Sequence, residues 1–413
     1  MLNLACFLIQ EIIVTVKLFE NPFRPGAGHR PPYLAGRAAE LGKMKKHLEQ
    51  RIVSQNIILT GLRGVGKTVL LEAFKPVAID EGWLWAGSDM SESASVTEET
   101  LATRIMTDLA VVTSSFVAVE KRNLPVGFTS SEKTGQIPLS FGILKSLYDA
   151  TPGLVSDKLK TVVEYAWKSL PDSFSGLVFA YDEAQNMGDH AEKGQYPLSL
   201  LLELFQSLQR KEIPVMLVLT GLPTLFPKLV EARTYAERMF HVILLGRLDE
   251  EASREAIIRP VEDANCPVKF SGETVSAISR LSAGYPYFIQ FFCREVYDVW
   301  IAKMRLGENP TVQGQDILFK LDTDFFQGSW AKATNRQREL LHVIAHLENA
   351  DGEFTVQEIA NLAKERLAKP FSTSHINQMM TALSLQGLVF RNRFGKYSFA
   401  VPLLSQFIKR QAA

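Results

Sequence analysis

Lys67, Thr68, Asp182 and Glu183 are the side chains of this sequence best suited to handling a polyphosphate and its metal. The first two close the run Gly61, Leu62, Arg63, Gly64, Val65, Gly66, Lys67, Thr68, which fits GxxxxGK[ST]. It stands directly after the apolar run Asn56–Thr60 and at the start of a helical pattern, the context that this motif requires. Its glycines let the backbone curl so that N–H groups point inward at phosphate oxygens, and a helix starting near Lys67 adds its positive dipole end. Lys67 is expected to reach the β- and γ-phosphates of a nucleotide and the Thr68 hydroxyl to hold Mg²⁺. The alternative, a chance glycine loop, is opposed by a second motif. The apolar run Leu177–Tyr181 ends in Asp182 and Glu183, which places two carboxylates at the carboxyl end of a strand, where ligands sit in open α/β sheets. Asp182 would order the magnesium shell, and Glu183 would orient and polarise the attacking water. Alone, the pair is equally an acidic loop after a strand; with the glycine loop it implies ATP hydrolysis and not mere binding. Thr220, at the end of the run Val215–Thr220, is either a contact to the γ-phosphate or the water, or a turn former.

These groups need a scaffold. Apolar runs at Asn56–Thr60, Trp83–Ala86, Leu177–Tyr181, Val215–Thr220 and Val242–Leu245 have the length and β-branched or aromatic content of buried parallel strands. With helical segments between them they predict a three-layer α/β domain with a parallel five-stranded sheet. Helices are expected over Arg37–Arg51 and Leu154–Ser169, and Lys121–Pro138 reads as a long loop. Asn21–Pro32 is rich in Pro and Gly and reads as an extended lead-in. Met1–Val16 is apolar but holds Gln10 and Glu11, lacks a basic start and a cleavage site, and is shorter than the roughly 20 residues of a membrane span. It reads as an extra helix or an extended start, with a membrane or partner contact as the minor alternative. Glu250–Gly307 is helical throughout, which suits a small lid.

The C-terminal part changes character. Helical apolar spacing recurs over Arg336–Leu347, Thr355–Leu367 and Ser374–Gln386, and Thr355 with Glu358 forms a capping box. Leu388–Arg391 and Lys396–Phe399 alternate around the turn Asn392, Arg393, Phe394, Gly395 and read as a hairpin. Three helices and a hairpin suggest a winged helix. Ser374, His375, Asn377 and Gln378 would open its recognition helix, and Arg391, Arg393 and Lys396 would meet phosphates of DNA. Against that, no Arg or Lys lies between Ser374 and Gln386, and winged helices also bind proteins.

Together the glycine loop, the VFAYDEA strand, VLTG, the entry Tyr33-Leu34-Ala35-Gly36-Arg37 with Glu40 and Leu41, and the segment Tyr235–Phe240 resemble the origin-recognition-like AAA+ ATPases. The resemblance covers roughly Pro31–Arg305. It implies a P-loop AAA+ core over 33–248 after an N-terminal extension (1–32), a helical lid over 249–330 and a winged-helix domain over 331–413. It also places the YLAGR entry near adenine and Arg238 where the family keeps an arginine finger, acting on ATP held by a neighbouring subunit of a homo-oligomer. A guanidinium suits the spread charge of a transferring phosphoryl. The alternative for Arg238 is a salt bridge with Glu237 or Glu231, and Arg247 is the rival finger. The lid departs from the replication initiators: Ala283-Gly284-Tyr285-Pro286-Tyr287-Phe288 has no arginine at the expected place. Its GYP is similar to the element of signal-transduction ATPases in which proline lies against the base, although Pro286 equally suits the start of a helix.

Bulk properties bound the partners. Lys plus Arg and Asp plus Glu are 45 each, so net charge points to neither nucleic acid nor membrane. Cys6, Cys266 and Cys293 form no CxxC pair and no disulfide framework, as expected for the cytoplasm. Two functions remain open: an ATP-dependent protein acting at DNA, and a slow nucleotide-gated signalling or defence switch whose winged helix contacts a protein.

Overall fold

Runs of four to seven apolar residues without alternation suit strands covered on both faces, and the five found here pair into one sheet in the computed structural model. They are β1 (Asn56–Thr60), β2 (Trp83–Asp89), β5 (Gly176–Asp182), β6 (Val215–Gly221) and β7 (Phe240–Leu244). Residues 20–411 are described, apart from 27, 51, 92, 127–128, 267, 309–313 and 393–394; the Met1–Val16 stretch and Arg393 therefore lie outside the described residues. The sheet is parallel throughout, in the order β2-β5-β6-β1-β7. β1, β5 and β6 are buried along their whole length. Because the central strands run the same way, their carboxyl ends share one edge, with Thr60 paired to Gly221 and Tyr181 to Leu219.

One expectation fails. Lys121–Pro138 is not a loop: Val117–Val126 (β3) and Thr129–Pro138 (β4) pair antiparallel, from Val117 opposite Pro138 to Val126 opposite Thr129. A ladder is made by backbone groups, so a polar sequence forms one without an apolar signature.

The chain divides into two units. One comprises Ala38–Gly61 and Leu70–Leu244, which holds the sheet. Its core gathers Ile58, Phe179, Leu217, Leu201 and Phe205. Its helices include α1 (Ala38–Leu48), most of α2 (Lys67–Asp80), α3 (Glu98–Thr113), α4 (Phe141–Ala150), α5 (Val155–Lys168), α6 (Pro197–Arg210), α7 (Leu225–Ala232) and the short α8 (Ala236–Met239). The buried Asn56 ties its strands together: its Oδ1 accepts from Leu217 N–H and from Gln209 Nε2, both at 2.8 Å.

The other unit comprises the chain up to Arg37, Leu62–Val69 and everything from Leu245. It contains α9 (Glu250–Asp263), α10 (Gly272–Ser282), α11 (Pro286–Arg305), α12 (Gly314–Leu321), one π-helical turn at Asp322–Phe326 and α13 (Gln327–Ala331). Then come α14 (Asn335–Ala345), α15 (Val356–Arg366), α16 (Thr373–Leu385), the antiparallel pair β8 (Val389–Arg391) and β9 (Tyr397–Phe399), and α17 (Leu404–Arg410). One apolar cluster runs through this unit, with Phe288 stacked on Phe326 and Phe326 on Phe407. Thr355 and Glu358 form the expected capping box.

Candidate functional site

The glycine loop leaves β1 and enters α2 at Lys67. Gly64 (φ 79°) and Gly66 (φ 90°) are left-handed, a conformation in which a Cβ is strained; this is what curls the loop. Lys67 is 9% exposed, and its ammonium donates to the Leu62 carbonyl at 3.0 Å across the same loop. Two further elements of this unit hold the loop. Arg37, from the YLAGR entry, donates to the Val65 carbonyl at 3.1 Å and to that of Gly246 at 2.8 Å. At the first turn of α11, the Tyr287 N–H donates to the Gly64 carbonyl at 3.1 Å, and a Cβ on Gly64 would lie 3.1 Å from that of Tyr287. Pro286 begins α11, with Tyr285 as its N-cap. The tight turn before it needs Gly284 (φ 76°), where a Cβ would meet the Leu248 carbonyl at 2.5 Å.

The acidic pair stands at the carboxyl edge of the sheet. Asp182 is 4% exposed, and its Oδ1 accepts from the Glu183 N–H at 2.7 Å and from the Thr220 hydroxyl, itself fully buried. Glu183 is exposed and sits at φ 52°, a left-handed turn unusual for a non-glycine residue. Its Oε2 accepts from the Gln185 side-chain amide. That amide's oxygen accepts from the Leu222 N–H at 3.2 Å, and Lys228 Nζ donates to the Gln185 carbonyl at 3.0 Å. Burial holds Lys228 below the usual lysine range, against the upward pull of Asp189 and Glu231.

The expected site residues thus fall into two clusters. Lys67, Thr68, the loop residues from Leu62 to Gly66 and Pro286 belong to one unit; Gly61, Asp182, Glu183, Thr220 and Arg238 belong to the other. Asp182 and Thr220 touch. Arg238 lies in α8 with an exposed side chain, and among the described residues it forms no ion pair with Glu237 or Glu231. Gln185, Lys228 and the Tyr287 amide were missed, since neither a glutamine after an acidic pair nor a backbone donor carries a sequence signal. Among the described residues no three of His, Cys, Asp and Glu gather as for a metal. A magnesium ion needs less: one or two hard oxygens beside phosphate and water suffice, and a threonine hydroxyl with a buried aspartate is chemically such a set. No described helix is long and apolar enough to cross a membrane.

A family model described as a domain of unknown function (DUF8462) matches residues 323–408. No curated protein matches the sequence. Among solved structures, the Walker-type ATPase PABY2304 of Pyrococcus abyssi is 17% identical, with 96% of this chain and 99% of that one covered and a TM-score of 0.55. The Aeropyrum pernix ORC2 protein, solved in ADPNP–ADP complexes, is 14% identical, with 93% and 95% covered and a TM-score of 0.53. At such identities the likeness speaks for architecture alone, and by that measure the chain has the AAA+ P-loop fold of the origin-recognition type.

Proposed function

We propose that the protein binds ATP with Mg²⁺ and hydrolyses it in order to act at DNA. The observation that carries the reading is Asp182, buried at the end of β5 with the Thr220 hydroxyl on its carboxylate, in the sheet whose strand β1 runs into the glycine loop. In this reading the backbone N–H groups of Gly61, Leu62, Arg63, Gly64, Val65 and Gly66 take the phosphates, Lys67 neutralises the β- and γ-oxygens, and Pro286 lies against the base. Thr68 and Asp182 would hold Mg²⁺, which when bound withdraws charge from the phosphates. Glu183 orients the attacking water, Thr220 fixes Asp182, and Arg238 serves ATP held by a neighbouring copy in a homo-oligomer, with the cytoplasm as the setting. Support for the nucleotide comes from the Aeropyrum pernix relative in fold, described with ADPNP and ADP.

The domains follow the same reading: an extension over 1–32, an ATPase core over 33–248, a helical lid over 249–330 and a winged helix over 331–413. Exposed Ser374, Asn377 and Gln378 at the start of α16 and exposed Arg391 in β8 support a surface for DNA. Lys396 is paired with Glu353 at 3.6 Å, which lowers the net charge there and favours backbone contacts of modest strength. The test is ATPase rate and oligomeric state with and without duplex DNA at two salt concentrations. Stimulation by DNA that weakens with salt is expected; a rate and assembly indifferent to DNA at low salt would refute the DNA limb.

A second reading, a nucleotide-gated switch that contacts a protein, is favoured by one observation. The Arg63 N–H of the glycine loop faces the Ala400 carbonyl at 3.5 Å, beside the hairpin of the C-terminal region. The same experiment separates the two, because a switch would hold nucleotide with slow turnover and no response to DNA.

A further inference from the structure

The turn after β5 holds a bridge that the nucleotide chemistry described above does not use. Gln185 stands in the 3₁₀ turn Ala184–Asn186 that follows Glu183. Its side-chain nitrogen donates to Glu183 Oε2, and its side-chain oxygen accepts the N–H of Leu222, two residues past Thr220, at 3.2 Å. Only this orientation of the amide satisfies both neighbours; the flipped one would set oxygen against carboxylate and NH₂ against N–H. The backbone is fastened as well: Lys228 Nζ holds the Gln185 carbonyl, and Asn186 Nδ2 donates to the Met90 carbonyl at 3.3 Å. Space is reserved for the amide, since a Cβ on Gly221 would lie 2.8 Å from its oxygen. Glu183, by contrast, is exposed on a left-handed backbone, where a free carboxylate would sample several rotamers.

We propose that Gln185 is a positioning residue for Glu183, its one amide group linking the carboxylate to the end of β6. Two hydrogen bonds from a single rigid planar group make the Glu183 carboxylate follow the Leu222 backbone. Thr220 lies on the same strand end, so a shift there on sensing phosphate moves the water-orienting carboxylate with it. Glu183 Oε1 stays available to a water, because the amide engages Oε2 alone. The inference rests on Glu183 as the water-orienting group.

Steady-state hydrolysis of Mg-ATP by the full chain tests it, with Gln185→Ala, Gln185→Glu, Glu183→Gln and the double variant Gln185→Ala/Glu183→Gln. Gln185→Glu keeps size and the acceptor for Leu222 but cannot donate to Glu183, so it covers the case in which the alanine variant folds poorly. Both Gln185 variants should lose about 10- to 100-fold in kcat with KM within about twofold of the parent, the loss expected of a misplaced reactive group. The double variant should be no slower than Glu183→Gln alone, because Gln185 acts only through Glu183. Turnover within twofold of the parent in both Gln185 variants overturns the proposal, as does a double variant in which the losses multiply. Full turnover by Glu183→Gln itself removes the base assignment and the proposal with it, a result distinct from the other two.

Discussion

Thr220 shows how much of the site is set by single contacts. Its hydroxyl is buried and donates a hydrogen bond to the oxygen of Asp182 that also accepts the Glu183 N–H. That fixes the rotamer of a carboxylate that has little water around it to do the same. Thr220→Val keeps the shape and removes the donor, so turnover should fall about 10- to 100-fold while Thr220→Ser stays near the parent; equal rates for valine and parent at saturating Mg²⁺ would refute the role. Lys67→Ala should abolish ATP binding by equilibrium titration, because it removes the ammonium that would neutralise the β- and γ-phosphates, and an unchanged affinity would remove the central assignment. At this scale the sequence was readable where backbone geometry dictates residue type. The glycines of the loop are needed at φ 79° and 90°, so their spacing is visible as text. The Thr220–Asp182 contact and the Gln185 bridge depend on which strands are neighbours, which no local spacing encodes.

The elements repeat that division. β1, β5 and β6 announced themselves because burial on both faces demands unbroken apolar runs, whereas β3 and β4 form through backbone pairing and read as a loop. Asn56 is a polar exception at the head of β1, and the sheet explains it. Its carboxamide oxygen satisfies the buried Leu217 N–H and holds Gln209, whose nitrogen also donates to the Val215 carbonyl at 2.9 Å. Asn56→Ala leaves a strand donor unpaired and should cost about 1–3 kcal/mol. Urea unfolding followed by tryptophan fluorescence reads this, since Trp83, Trp85 and Trp167 lie in this unit; an unchanged midpoint would contradict it. A second device sits where α1 meets β7. The rings of His47 and His241 lie 5.2 Å apart, and burial first, then the charge of His241, lowers the pKa of His47. The unfolded chain, with His47 near its ordinary 6.5, then binds the proton more readily than the folded one. Stability is therefore retained above that value and lost as pH falls through it. His47→Gln should flatten the loss of unfolding midpoint between about pH 7 and pH 5, and an unaltered slope would count against it.

At the scale of the whole molecule, the glycine-loop sequence is divided between the two units. The chain enters the loop from β1 in one unit, spends Leu62–Val69 in the other, and returns along α2. The loop's companions in its own unit are the YLAGR entry, the first turn of α11 and the C-terminal region, where the guanidinium of Arg63 would be 3.2 Å from a Cβ on Gly387. The C-terminal region is no appendage, since a single apolar cluster runs from Leu248 to Ile408. The change of texture beyond about Thr334 suggests a separate C-terminal domain, but texture carries no record of a shared core. The Arg63 N–H points at the Ala400 carbonyl at 3.5 Å, a long bond, and is one of the donors that a phosphate would collect. A phosphate taken by the loop would compete with Ala400 for that N–H, so nucleotide binding should loosen the segment around Gly387–Ala400. Hydrogen exchange of the full chain is the measurement: saturating Mg-ATP analogue should speed exchange of the amides over 387–400 severalfold while protecting those of 61–68. Protection of the loop with no change over 387–400 would show that the C-terminal region does not sense the nucleotide through Arg63.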